Sequence, residues 1–189
     1  MEQKIIESEK KPTQLALQVA VIYAIYSLIL LYVFKALGID TQDKNLAIGH
    51  KVLSTLLTYV PFILAIFYTQ WKHKSELGGF MTFGRAFSAG FRMALLAGLF
   101  QAILMVLYYK LLDPGAMDQI IETARANAKT EQEEQEVEMV SKYMIWMIAF
   151  GVILFLAFFG TIISLIGAAI FKKERPVYID TQNNRIVEG

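Results

Sequence analysis

The stretch Tyr143–Phe171, YMIWMIAFGVILFLAFFGTIISLIGAAIF, runs for 29 residues without a charge. As a helix it extends about 43 Å, against a bilayer hydrocarbon core of about 30 Å. Three more uncharged runs precede it: Pro12–Phe34 with 23 residues, Val52–Trp71 with 20 and Met93–Tyr109 with 17. About 17–25 apolar residues suffice to cross a bilayer. Four such runs in 189 residues predict an all-α integral membrane protein built as a four-transmembrane-helix bundle.

Composition agrees. Hydrophobic residues make up 56% of the chain, whereas soluble domains hold about 45–50%. The polar remainder between spans is short, and its longest piece, Asp113–Lys142, is too small to build a core of its own. A net charge of +1 gives no basic field for nucleic acid. The chain has no cysteine, which removes thiolate catalysis, disulfides and Cys-based zinc sites. The N-terminus lacks the short apolar stretch and small-residue site of a cleavable signal, so the first run is expected to stay as an anchor.

The expected organisation is a cytoplasmic N-terminal segment over 1–12, a four-helix membrane domain over 13–176 and a disordered tail over 177–189. The spans fall at about 13–37, 47–71, 86–112 and 143–171. Pro12 suits the first helix start and Gly38 its stop. Pro61 in the second span removes a backbone donor and crowds the Leu57 carbonyl, which predicts a kink. Thr58 or a facing helix is expected to re-satisfy the backbone there.

An amphipathic helical outer loop, 113–142, joins the third and fourth spans. Asp113 is placed as N-cap with Pro114 at the first helical position. Met117, Ile120, Ile121, Ala124 and Ala128 recur on one face. Thr130 and Glu133 have capping-box spacing, and the helix they start is expected to continue into the last span. Lysine and arginine counts give ten on the side of the termini and seven on the other, with Arg92 set aside. That bias places both termini in the cytoplasm. Tyr108, Tyr109, Tyr143 and Trp146 are expected to form an outer aromatic belt, with Tyr68 and Trp71 at the inner face.

Few residues carry chemistry. His50 and His73 are placed in lysine-flanked loops as interfacial histidines. Glu133, Glu134, Glu136, Glu138, Asp118 and Glu122 lack calcium-loop spacing and read as a solvated helix face. No catalytic, metal or cofactor residues are assigned, and the expectation is a non-enzyme.

The strongest pattern is a seam of small residues, Ala86, Gly90, Ala94, Gly98 and Ala102, matched by Gly160, Ser164 and Ala168. Such residues let helices approach closely in lipid. Arg92 sits near a helix end, where its side chain can snorkel to headgroups; a buried functional role is the alternative. Ser54 and Thr58 share a face that either bonds a neighbouring helix or lines a cavity, and Gln18 and Gln101 are the other polar span residues.

Glu76–Phe87, ELGGFMTFGRAF, mixes three glycines, three phenylalanines and one arginine and reads as an interfacial segment. GGFMTFGRAF, Asp113-Pro114, the Met/Glu-rich approach to the last span and the closing IFKKERP together resemble the membrane family catalogued as domain of unknown function 4199. The likeness covers about residues 13–176 and is most specific at Gly78–Phe87. Arg85 departs from it, standing where the family pattern suggests glutamine, glutamate or lysine. The resemblance implies a four-span bacterial inner-membrane protein and brings no activity or binding residues. It implies a polyprenyl-phosphate glycosyltransferase as one candidate partner, beside membrane lipids and a homo-oligomer.

The expected role is a scaffold or anchor for a membrane-associated partner, with Arg85, Arg92, Phe83 and Phe87 as its lipid or partner contact. The alternative is a small transporter or channel component.

Overall fold

The four uncharged runs each form one helix in the computed structural model, which describes residues 11–39 and 47–174 and the backbone alone of 177–180 and 185–188. They are α1 (Thr13–Ala36), α2 (Ile48–Glu76), α3 (Phe83–Leu107) and α6 (Met144–Phe171), with α4 (Pro114–Asn127) and α5 (Glu131–Ser141) in the long connection. The four long helices are apolar and long enough to cross a membrane. Residues 1–10 of the expected N-terminal segment, and residues 40–46 of the first loop, lie outside the described residues.

Helix α3 is the centre of the bundle. It packs against α1, α2 and, most extensively, α6. The reason lies in its seam: Ala86, Gly90, Ala94, Gly98 and Ala102 are all buried, as are Gly160, Ser164 and Ala168 on α6. A Cβ built on Gly160 would overlap the Ala94 methyl, and one on Gly98 would come within 3.3 Å of the Ile153 Cα. The helices therefore touch backbone to backbone, which side chains on either face would prevent. Tyr23, Phe62, Ile66, Met93 and Leu156 fill the space this contact leaves around it. Large apolar residues such as Ile22, Phe150, Phe158 and Ile170 point outward at 60% exposure or more, the lipid-facing surface of a membrane bundle.

Helix ends follow local chemistry. Gly38 and Gly78 take φ of 67° and 77°, a left-handed conformation that glycine adopts without steric cost. Each sits just past its helix, where the next residue's N–H reaches back five residues: Ile39 to the Phe34 carbonyl and Gly79 to the Lys74 carbonyl, both at 2.9 Å. These are paired C-terminal caps of the Schellman type. At α5 the Glu133 N–H donates to Thr130 Oγ1 at 3.2 Å. The returning Glu133 carboxylate takes the Lys129 N–H instead of the Thr130 N–H, at 2.6 Å.

Several expectations need correction. Helix α2 runs five residues past the expected 71. Helix α5 does not continue into the last span, because the chain turns between Ser141 and Met144. The third span ends in a π turn, Tyr108–Leu112, closed by the Asp113 N–H on the Tyr108 carbonyl at 2.8 Å. Tyr108 and Tyr109, at the start of this turn, are buried, so they are not belt residues. Tyr143 and Trp146 are exposed. Within the stretch expected to be a disordered tail, the backbone of β1 (Val177–Asp180) pairs antiparallel with that of β2 (Arg185–Glu188), and residues 181–184 and 189 lie outside the described residues.

Candidate functional site

Two regions hold the polar groups of this bundle, one at each end. The first surrounds the Gly78–Phe87 segment, which is firmly held. The Met81 N–H donates to the Lys173 carbonyl and the Lys173 N–H to the Met81 carbonyl, both at 2.9 Å. This bridge ties the start of α3 to the end of α6. Beneath it Leu77, Met81, Ala86 and Ala168 are buried together, with Phe87 and Phe171 against them. Phe87 stacks on Phe91 with ring centroids 5.6 Å apart, and the Lys173 ammonium lies 5.2 Å from the Phe80 ring centre. Phe83 is exposed and Arg85 is half-buried. Arg92 is exposed too, and its Nη1 donates to Thr13 Oγ1 at 2.7 Å, at the start of α1.

Below that surface lies a polar core that the sequence reading missed. Thr69, Gln70, His73 and Ser164 have no exposed surface. The Gln70 amide donates from Nε2 to the Ala86 carbonyl at 3.0 Å and to the Ser164 carbonyl at 2.9 Å, joining α2 to α3 and α6 at once. Gly90 and Gly167 make room for it: a Cβ on Gly167 would overlap Gln70 Oε1, and one on Gly90 would sit 2.7 Å from Gln70 Nε2.

His73 is therefore a buried helical residue and not a loop histidine. Neither ring nitrogen has a hydrogen-bond partner, and the Glu76 carboxylate lies 3.8 Å from Nδ1. His50 is exposed in the first turn of α2. The signal for His73 was present. Phe62, Ile66, Thr69, Gln70 and His73 all lie on the buried face of α2, at helical spacing that continues past the apolar run. Lysines on either side made the position look like a membrane boundary.

The second region is at the opposite end. Lys35, in the last turn of α1, pairs with Asp113 at the start of α4. Tyr108 also donates to Asp113 Oδ2, at 2.9 Å. The Lys35 hydrogen bond, and after it that of Tyr108, hold the Asp113 carboxyl below the usual carboxylate range. Helix α4 turns Met117, Ile120, Ile121 and Ala124 to its half-buried face while its other side is exposed, and Ala128, just past its end, is half-buried too.

Next to this network the helices part around a cavity of about 660 Å³, walled by α1, α2, α3 and α6. Ser54 and Thr58 line it together with Ser27, Gln101 and Tyr108. Neither Ser54 nor Thr58 bonds a neighbouring helix: Ser54 donates to the Lys51 carbonyl at 3.0 Å and Thr58 to the Ser54 carbonyl at 2.8 Å.

Among the described residues no group of three or more His, Asp or Glu side chains converges for a metal ion. Glu131, Glu133, Glu134, Glu136 and Glu138 are all exposed on α5, as are Asp118 and Glu122 on α4. No curated protein and no solved structure matches the chain. Residues 18–173, which take in all of α2 to α6 and most of α1, match the family of proteins of unknown function designated DUF4199, and the chain belongs to that family.

Proposed function

We propose that this protein is a non-catalytic, multi-pass module of a bacterial inner membrane that scaffolds or anchors a membrane-associated partner. Both termini are cytoplasmic in this reading. The observation that carries it is the two-way backbone bridge between Met81 and Lys173. A loop used only as a connection has no need to be fixed to the far end of the chain. Fixed there, it holds Arg85, Phe83 and the neighbouring Arg92 at one end of the bundle, where cations and an aromatic ring can meet anionic headgroups or a partner's acidic surface. Membrane lipids are the first candidates. A polyprenyl-phosphate glycosyltransferase, as the family resemblance implies, and a second copy of the chain are the protein candidates.

The test is Arg85→Ala with Arg92→Ala in the full chain, purified in mild detergent. Thermal unfolding is expected to persist, while retained phosphatidylglycerol and co-purifying partner fall. Turnover of a lipid-linked substrate by the purified protein, or solute flux in liposomes that the double substitution leaves unchanged, overturns the scaffold reading.

A small transporter or channel component is the second reading. The cavity lined by Ser54 and Thr58 favours it. Against a through path stands the half of the bundle beyond that cavity, where Gly160 meets Ala94 and Gln70 fills the space beside Gly90 and Gly167.

A further inference from the structure

The cavity between α1, α2, α3 and α6 has an unusual hydrogen-bonding balance. Ser27 donates to the Tyr23 carbonyl at 3.0 Å. Ser54 and Thr58 donate along their own helix, and Tyr108 donates to Asp113. Each of these hydroxyls has one proton, and in all four it is directed into the protein. What they offer the cavity is oxygen lone pairs. Gln101 lines the cavity too, but its Oε1 is sealed inside the protein and so withheld from it. The remaining wall hydroxyls, on Tyr23, Thr55 and Tyr59, accept as well as donate.

None of the lining residues is Asp, Glu, Lys, Arg or His. The nearest ion pair, Lys35 with Asp113, is internally neutralised. A charged head entering here would find no counter-charge. The rest of the wall is apolar, with Leu28, Leu104, Met105, Val152 and Phe155 among it. Tyr59 lines the cavity and is 40% exposed, so the cavity reaches the lipid-facing surface of the bundle. Its volume of about 660 Å³ falls in the range of small-molecule sites and far exceeds a single ion or water, the latter occupying about 30 Å³.

We propose that this cavity binds an uncharged amphiphile whose head donates hydrogen bonds, of the chemical class of a monoacylglycerol. The apolar wall takes the chain, and the hydroxyls of the head donate to the oxygens of Ser27, Ser54 and Thr58. This goes beyond the anchoring role and uses none of its residues.

The probe is monoolein, with methyl oleate as a control that has the same chain and no donor. Retention by the full chain in detergent is read by native mass spectrometry. Monoolein is expected to be retained, and methyl oleate roughly tenfold less, the effect of losing about one net hydrogen bond. Thr58→Val, which keeps the shape and removes the oxygen, is expected to weaken monoolein retention by about tenfold for the same reason. Leu28→Trp, which fills the cavity from another wall, is expected to abolish it and decides the matter if Thr58→Val does not fold.

Arg85→Ala with Arg92→Ala leaves monoolein retention unchanged, which separates this inference from the anchoring reading. Equal retention of the two probes overturns the proposal. So does retention that both Thr58→Val and Leu28→Trp leave untouched, or thermal stabilisation by sodium ions and not by monoolein.

Discussion

Pro61 leaves the Leu57 carbonyl without its helical N–H, and the Tyr26 hydroxyl of α1 takes that place at 2.8 Å. In lipid no water stands by to do so. Tyr26→Phe should therefore destabilise the protein by about 1 kcal/mol, the usual scale of such a bond in membranes. In a Pro61→Ala background the restored backbone N–H can serve Leu57, and the same substitution should cost close to nothing. Thermal unfolding of the four forms measures the coupling; equal costs in both backgrounds would break the link.

Asp113 gives a pH-dependent counterpart. Its carboxyl titrates below the usual range because Lys35 and Tyr108 bond the charged form. A depressed folded value means a stability contribution that is complete above the unfolded value, about 3.9, and lost as pH falls through the lower folded one. Wild type should unfold at a higher temperature than Asp113→Asn at pH 7, and the gap should close below about pH 4. A gap that persists in acid would show that packing, not charge, separates the two. The sequence exposed the orphaned carbonyl at Leu57 and the helix start at Asp113. It did not expose their partners. Thr58, the near candidate, bonds Ser54 instead, and which α1 side chain faces Leu57 depends on how two helices slide against each other.

Among the elements, the α3–α6 contact is the most legible part of the fold. Five small residues at four-residue intervals have no other common explanation in lipid than close approach. Gly160→Ala should overfill that contact, since its methyl would meet the Ala94 methyl, and should destabilise by about 1–3 kcal/mol. Ala94→Gly added to it should recover part of the loss. Unfolding in detergent tests both; a silent Gly160→Ala would mean that the helices stand further apart than the seam implies.

The π turn at Tyr108–Leu112 was not legible. Nothing in YYKLL distinguishes it from a regular turn, and it arises where Tyr108 turns inward to reach Asp113. The polar core around Gln70 was hidden for a different reason. A glutamine near a lysine pair looks solvated until the glycines that accommodate it, far away in sequence, are seen beside it.

At the scale of the whole molecule, four spans put Asn127 and Gly189 on opposite faces if the tail stays with the end of α6. Reporter fusions at the two positions should give opposite signals, with Gly189 on the cytoplasmic side. A shared signal would mean that α6 does not cross the bilayer. The number of spans was plain from the uncharged runs. The cavity was not, because its shape depends on where α1 and α2 diverge, and residue type alone leaves Ser54 free to bond a neighbour or its own helix.

The bridge from Met81 to Lys173 also sets an order of events. Ribosomes deliver this chain from its N-terminus, so the Gly78–Phe87 turn emerges two spans before its mate. Until α6 has entered the bilayer, Met81 has neither a donor nor an acceptor to close on. The surface around Arg85 is thus completed only once α6 is in place. On the anchoring proposal, a partner that recognises this surface should engage only chains whose insertion is complete, and a chain truncated before Lys173 should fail to retain it.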